Sequence, residues 1–431
     1  MKFVEYNKFL EWFVKKFINQ TRDKADIVAK TLTALMAGML LLAMPSVNKI
    51  YDELVTGEGK SSFYQDVHDL AIGNSTLYDE AFAAIQNDTR MAMRKNGVII
   101  LDEHLIEHTS EDIEGVAYYY SPSEKRHVLA MSTITLHYWA GTIEYPVAFK
   151  IYRRLQELEK CGKAQDYKKK NDIARDMLRD VFARKGAPSL VLFDSGFMTK
   201  ETVRLLKTLH VNYISRPKRP WKCSYKHKRY SLEKLFETIR ANEFKAVVVK
   251  NPKTGEKKTR LVAVRDVYIP QIGKHRVVFV DCTKERPKKG DKETAETRVT
   301  ASGRRYRVFI TNVLIWDAAT ILSNYSLRWT IETSHRDMNQ HLSLSGCKWR
   351  DLSAQYFFIA LTCLCYLFLK WAGARGFLAR YNMDLRTIGQ LKQGFCHYSQ
   401  HQYYEWLKGL ERGGTERGIN EWILARVYAI A

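Results

Sequence analysis

Proline, glycine and cysteine are scarce in this chain of 431 residues, and each scarcity excludes a class of protein. Nine prolines and 23 glycines are too few for a low-complexity or collagen-like chain, while 45% hydrophobic and 12% aromatic residues exclude a disordered one. The seven cysteines are odd in number, scattered, and lack the spacing of a zinc site. We therefore expect a folded protein with reduced thiols, as in the cytoplasm.

Long hydrophobic runs are also missing. The two longest, residues 31–44 and 356–369, cover about 14 residues each, whereas a membrane-spanning helix needs roughly 20. We predict that both are buried helices and that no membrane is a partner. The first 16 residues mix charged and aromatic side chains and have no continuous apolar stretch, so we expect no secretory signal.

Acidic residues are outnumbered, with 47 Asp and Glu against 69 Lys and Arg, which gives a net charge of +22. Such a surplus predicts a polyanionic partner, either nucleic acid or an anionic membrane surface, and nucleic acid is favoured. Residues 216–230 hold seven basic residues and no acid, and residues 284–307 hold nine against four acids. We interpret both segments as a path for the DNA backbone. The alternative is a solvated face that only keeps the protein soluble.

The pattern of apolar residues changes along the chain and predicts an α/β protein with helical ends. Ser46, Ser62 and Ser75 are candidate caps of short helices near the N-terminus. Such helices permit a helix-turn-helix that contacts DNA, although packing alone explains them equally well. The predicted regions are a helical N-terminal domain at 1–96, the first part of an α/β core at 97–215, a β-rich insertion at 216–306, a core helix region at 307–350, and a helical C-terminal region at 351–431.

Three acidic residues stand in positions that suit chemistry. Asp102 and Asp194 each follow a short apolar run of buried-strand type, and the carboxyl ends of such strands are where open α/β sheets bind ligands. Either aspartate alone is more often a turn former or a helix cap. Asp317 is a good cap for a long helix from Ala318, and at 100° per residue that helix carries a third acid, Glu332, on one face. Tyr325, Arg328 and Asn339 share that face.

The helix sequence resembles that of the DDE transposases of bacterial and archaeal insertion sequences, in the subgroup named for a Tyr-x2-Arg-x3-Glu-x6-Lys signature. Tyr325, Arg328 and Glu332 match the signature, and Asn339 stands where the family has lysine. The segments Leu101-Asp102-Glu103 and Phe193-Asp194-Ser195-Gly196 resemble the two aspartate motifs. The likeness runs from about residue 32 to 369, and the order of elements resembles a ribonuclease H-like core, a mixed sheet flanked by helices. A β-rich insertion before the glutamate also fits, and here 138 residues separate Asp194 from Glu332.

The resemblance implies a DNA transposase that cleaves element ends and joins their 3′-hydroxyl groups to target DNA. Asp102, Asp194 and Glu332 would be the catalytic residues and would hold two Mg²⁺ or Mn²⁺ ions. The expected partners are the terminal inverted repeats, target DNA and a second copy of the chain in a homodimer. The implied location is the prokaryotic cytoplasm, with the nucleoid. The residues expected to contact DNA are Tyr325, Arg328, Arg336, Asn339, Arg216, Lys218, Arg219 and Trp221.

Two alternatives remain open from the sequence. The first is a nuclease of the same fold that cuts DNA without joining it. The second is a non-catalytic DNA-binding protein descended from a transposase.

Arg336 or Lys348 would replace the missing lysine of the signature.

Overall fold

The computed structural model describes residues 8–17, 25–42, 45–55, 59–73, 77–121, 124–184, 186–218, 221–284, 297–381 and 385–412. The chain divides into two compact units. One unit combines residues 1–91 with 337–431, and the other covers residues 92–336.

The secondary structure of the described residues follows the predicted succession of helices, strands and helices. The α-helices are α1 (Lys8–Phe17), α2 (Ala25–Leu41), α3 (Val47–Leu54), α4 (Lys60–Gly73), α5 (Leu77–Ile85), α6 (Leu155–Lys160), α7 (Lys170–Phe182), α8 (Lys200–Thr208), α9 (Leu232–Glu237), α10 (Ala318–Ser326), α11 (Trp329–Leu342), α12 (Leu352–Ala374) and α13 (Ile388–Arg412). The strands are β1 (Val98–Glu107), β2 (Val116–Ser121), β3 (Arg126–Ala140), β4 (Ile143–Tyr152), β5 (Leu190–Phe193), β6 (Asn212–Ser215), β7 (Lys222–Tyr225), β8 (Lys228–Ser231), β9 (Lys245–Lys250), β10 (Lys257–Ile269), β11 (Gly273–Asp281), β12 (Arg298–Val299) and β13 (Arg305–Thr311).

The first unit is helical in its described residues, and local sequence explains its short helices. Ser46 caps α3 as predicted, because its hydroxyl accepts a hydrogen bond from the Lys49 amide at 3.1 Å. Helix α2 packs closely on α3 at Gly38, where a Cβ atom would lie 2.3 Å from Cγ1 of Ile50. The predicted cap at Ser62 is wrong, because α4 begins earlier, at Lys60. The predicted cap at Ser75 lies outside the described residues.

Helix α12 forms the core of this unit. It is long and apolar enough to cross a membrane, and it is the only such helix among the described residues, but 78% of its apolar stretch is buried inside the structure. The prediction of a buried helix at residues 356–369 is therefore confirmed, although the helix extends further at both ends. Near the end of α12, the Trp371 indole and the Arg375 guanidinium both donate to the buried Asp88 carboxylate, each at 2.9 Å. These contacts are those of a core helix that packs against its own unit.

The second unit is built on one mixed sheet, which contains thirteen strands among the described residues. Strands β1, β3 and β4 are antiparallel neighbours, and β5 and β6 then join β1 in parallel after helices α7 and α8. The apolar pattern of the sequence predicts three strands, a helix, a strand, a helix and a strand, which agrees with the structure except that β2, paired with β3, and α6 were not predicted. The sheet continues from β6 through β13, β11, β10, β7 and β8. Strands from residues 216–306 thus extend the sheet that contains β1 and β5.

The core of this unit lies between the sheet and helices α10 and α11. Ile100, Leu192 and Ile214 from three adjacent strands pack with Ile321 of α10 and Ile331 of α11. Each of these five side chains is completely buried. The two helices therefore pack against β1, which contains the predicted site residue Asp102, and β5, which precedes Asp194. All seven cysteines are free thiols, as predicted.

Candidate active site

The backbone register places Asp102 and Asp194 side by side. Strands β1 and β5 pair in parallel up to Leu101 opposite Phe193, so the two aspartates occupy the next position on each strand. The sequence prediction put Asp102 at the end of its strand. In the structure β1 continues to Glu107, paired with β3, and only its pairing with β5 ends before Asp102.

The loop after β5 fixes the Asp194 carboxylate. The Gly196 amide donates a hydrogen bond to Oδ1 of Asp194 at 2.8 Å. A Cβ atom on residue 196 would lie 3.0 Å from the same oxygen, so glycine gives the carboxylate its room. The Ser215 hydroxyl donates to the Asp194 carbonyl at 3.1 Å. Since β5 and β6 pair in parallel up to Leu192 opposite Ile214, Arg216 follows in the register next to Asp194.

Glu332 reaches the site from the first turn of α11. The predicted long helix from Ala318 is wrong in its continuity, although its Asp317 cap is confirmed by a 2.7 Å hydrogen bond from the Thr320 amide. The helix breaks at Leu327 and Arg328, where amides bond to carbonyls three residues back instead of four. The break separates α10, which packs into the core, from α11, which carries Glu332.

Arg328, at this break, joins two of the three acids. Its Nη1 lies 3.2 Å from Oδ2 of Asp102, and its Nη2 lies 2.8 Å from Oε1 of Glu332. The arginine is 5% exposed, and its guanidinium lies 5.1 Å from the centre of the Trp329 ring. A buried guanidinium shared by two carboxylates is a strong, geometrically defined contact. It establishes that β1 and α11 bring Asp102 and Glu332 to one place.

The pKa of Asp102 reflects its burial beside the other two carboxylates. Burial raises the pKa of the Asp102 carboxyl to about 7, against the opposing influence of the Arg328 guanidinium. The negative charges of Asp194 and Glu332 contribute to this value in the same direction as burial. The Arg328 guanidinium therefore compensates the charge of Asp102 only in part.

The three carboxylates suit a hard divalent cation by their chemistry, since Mg²⁺ takes oxygen ligands and few carboxylates. The uncompensated charge around Asp102 supports the same fit. In their present arrangement, however, the described residues contain no group of three His, Cys, Asp or Glu side chains able to hold one ion. The Arg328 guanidinium contacts one oxygen of Asp102 and one oxygen of Glu332, which are atoms that a metal ion would also use.

Two histidines beside the acids form a contact that the sequence did not predict. His104 follows Asp102 by two residues on β1, and His335 follows Glu332 by three on α11; their rings stack with centres 4.2 Å apart. Burial lowers the pKa of His104 to about 4 and the pKa of His335 well below its usual value, so both rings are neutral. The two histidines are far apart in the sequence, so no local pattern predicted their contact.

The residues predicted to contact DNA lie in different surroundings. Tyr325 is 4% exposed and packs edge-on against Phe309, although its ring centre is 6.0 Å from the Arg328 guanidinium. Arg336 is exposed on α11, and Asn339 is partly buried further along the same helix. Partial burial is shared by Arg216, Lys218 and Trp221, while Arg219 lies outside the described residues.

Comparisons with known proteins identify the family. A model described as "Transposase DDE domain" matches residues 158–368, and one described as "DDE superfamily endonuclease" matches residues 24–222. The two overlap across Asp194, and together they include Asp102 and Glu332. A search of curated proteins finds no match. The mixed sheet flanked by helices agrees with the ribonuclease H-like fold expected from the resemblance. The chain therefore belongs to the DDE superfamily of transposases and endonucleases.

Proposed function

We propose that this protein is a cut-and-paste DNA transposase in which Asp102, Asp194 and Glu332 are the catalytic residues. The observation that carries the proposal is the meeting of these acids: Asp102 and Asp194 follow paired positions on β1 and β5, and Arg328 joins Asp102 to Glu332. The membership of the DDE superfamily supports DNA as the substrate. The net charge of +22 supports the same partner.

The proposed reaction has two steps at one site. In the first, water attacks phosphorus at an element end, the P–O3′ bond breaks, and a 3′-hydroxyl is released. In the second, that hydroxyl attacks a phosphorus of target DNA, the target P–O3′ bond breaks, and a new ester joins element to target. Two Mg²⁺ or Mn²⁺ ions, when bound, would stabilise the charge on the attacking and leaving oxygens.

The three acids would hold these ions, with Asp194 oriented by the Gly196 amide. Arg328 must then release at least one carboxylate, because its two contacts occupy oxygens of Asp102 and Glu332. A phosphate of the bound DNA is the natural new partner for a planar guanidinium. We therefore assign Arg328 two roles, as a counterion of the acids before DNA binds and as a phosphate ligand afterwards.

The remaining contacts belong to the same proposal. Arg216 continues the register beside Asp194, and Arg336 is exposed on the helix of Glu332, so both are suited to phosphates near the cleaved bond. Paired element ends would be processed by a homodimer in the prokaryotic nucleoid. Tyr325 would act from the core by supporting Arg328, since its ring is buried.

The decisive experiment incubates the protein with Mg²⁺, a labelled duplex that carries the inverted repeat flanking its gene, and plasmid DNA. We expect a joined product from the wild type. The variants Asp102→Ala, Asp194→Ala and Glu332→Ala should each lower cleavage at least about 1,000-fold, because each removes a ligand of the ions, while DNA binding stays measurable. Glu159→Ala, which removes an exposed carboxylate on α6, is the matched control and should leave cleavage unchanged.

Each other outcome selects one alternative. Cut product without joined product would indicate a nuclease of the same fold. A shifted band without cleavage would indicate a DNA-binding protein without activity. Full cleavage by the Asp102 variant would reject the assignment of the acids.

A further inference from the structure

The far part of the sheet carries an exposed row of side chains that the proposed active site does not use. Four residues on four adjacent strands are direct neighbours in the register: Arg229 on β8 faces Ser224 on β7, Ser224 faces Tyr268 on β10, and Tyr268 faces Lys274 on β11. Directly paired residues on adjacent strands point to the same face of a sheet. The row therefore displays a cation at each end and hydroxyl groups between them.

The side chains of this row are accessible and uncommitted. Tyr268 is 52% exposed, which is unusual for a large aromatic side chain in the middle of a sheet. Arg229 and Lys274 are also exposed, and neither forms an ion pair with another side chain in the described part of the chain. Their neighbours on the opposite face, Cys223 and Val267, are buried. The exposure thus belongs to one face of a well-packed sheet.

Helices α10 and α11 pack on the same face of the sheet as this row. Side chains alternate between faces along a strand, so Lys274 shares its face with Val278, which packs in the core with Ile321 of α10. Between them, Arg276 donates to the Trp316 carbonyl just before α10 at 2.9 Å and pairs with Asp266. Asp266, which lies two residues before Tyr268 on the same face of β10, is therefore already paired with an arginine.

The strand order gives the distance of the row from the acids. Strand β11 is four positions from β1 in the sheet, and β8 is seven. At a strand spacing of about 4.8 Å, the row lies roughly 19–34 Å from Asp102 when the distance is measured perpendicular to the strands. With a rise of about 3.4 Å per base pair, this corresponds to about 6–10 base pairs of a duplex that follows the same direction.

We propose that this row, Arg229, Ser224, Tyr268 and Lys274, is a second DNA-binding site that holds the backbone of the duplex about 6–10 base pairs from the cleaved bond. The inference rests on the proposed function, because it takes the DNA to be bound at Asp102, Asp194 and Glu332. The two cations pair with phosphates, and the Tyr268 ring packs on sugar while its hydroxyl donates to a phosphate oxygen. The ligand is duplex DNA of any sequence, since backbone contacts carry no base readout.

The test compares Arg229→Gln/Lys274→Gln with the matched control Lys160→Gln/Lys207→Gln, which removes two exposed cations from α6 and α8. Binding of an element-end duplex is measured between 50 and 200 mM salt, and hydroxyl-radical footprints are recorded for each complex. Loss of two phosphate contacts should lower the slope of log K against log salt by about 2, so that affinity falls about tenfold less over this range. Protection should disappear about 6–10 base pairs from the cleaved bond and persist at the bond itself. Thermal unfolding checks that both double variants remain folded.

Two results would overturn the inference. One is a row variant that binds and protects DNA like the control variant. The other is loss of protection at the cleaved bond with the distant protection intact. Failure of the wild type to cleave would count against the proposed function alone, because the distant footprint is read in the absence of cleavage.

Discussion

At the scale of single residues, the charged groups of the proposed active site lower the stability of the folded protein. Asp102, Asp194 and Glu332 are brought together with Arg328 as their buried counterion. Because burial and the neighbouring carboxylates raise the pKa of Asp102 to about 7, the ionised form of this group is disfavoured in the folded protein. A carboxyl whose pKa is raised by folding lowers stability at every pH above its ordinary pKa.

The substitution Asp102→Asn should therefore stabilise the metal-free protein at pH 8 by about 1–3 kcal/mol and have little effect below pH 4. The sign follows from the two pKa values: between the ordinary value of 3.8 and the folded value of about 7, the folded state binds more protons than the unfolded state, so stability falls as pH rises. Urea unfolding in EDTA at several pH values measures this. Asp180→Asn, at an exposed position on α7, should show no such pH-dependent gain, and a destabilised Asp102→Asn at pH 8 would contradict the argument.

How far the site could be predicted from sequence depends on the residue. The aspartates were found because each follows a buried apolar run, and that pattern persists in β1 and β5. The contact of Arg328 with Asp102 could not be predicted, since 226 residues separate them and no local periodicity reports on it. The stacking of His104 on His335 was invisible for the same reason.

At the scale of helices and strands, the strongest local sequence patterns predicted the structure correctly. The Asp317 and Ser46 caps and the buried strands agree with the structure. The break between α10 and α11 was missed because neither Leu327 nor Arg328 is a helix breaker. Packing decides there: Leu327 is buried in the core and Arg328 is held by the two acids. Tertiary contacts therefore override a good helical pattern.

The hairpin of β7 and β8 has a turn that its sequence does not favour. Tyr225 pairs with Lys228, which leaves a two-residue loop, and Lys226 and His227 both have positive φ, at 46° and 62°. Two-residue turns of this kind normally use Asn-Gly, because other side chains are strained there. The two turn residues are exposed, so the strain is not offset by burial.

Replacing Lys226-His227 with Asn-Gly should stabilise the protein by about 1 kcal/mol, since the new residues adopt positive φ more readily. The urea midpoint should rise without a change in the slope of the transition. His227→Val is the opposite control, because a β-branched residue at positive φ should lower the midpoint. If both changes moved the midpoint in the same direction, the strain argument would be wrong.

At the scale of the whole molecule, the surplus of 22 positive charges is the dominant feature. Exposed cations contribute little to stability through ion pairs. Their expected effect is on association with DNA, through the release of counterions from the phosphates.

We expect the affinity for duplex DNA to fall at least about 100-fold between 50 and 200 mM salt, which corresponds to about four or more phosphate contacts. Fluorescence anisotropy with a labelled duplex measures the slope. A scrambled duplex of the same length is the control, and its slope should be similar because backbone contacts do not depend on sequence. An affinity that does not change with salt would show that the surplus charge serves solubility only.

The continuous sheet also limits how this protein can be shortened. Strand β13 is hydrogen-bonded to β6 on one side and to β11 on the other, so removal of residues 216–304 would strip the partner from one edge of β13 along most of its length. That bare edge would recruit a strand from a second molecule, and such a truncated enzyme would be prone to polymerise. Shortened versions of this protein should keep the whole sheet and be trimmed elsewhere.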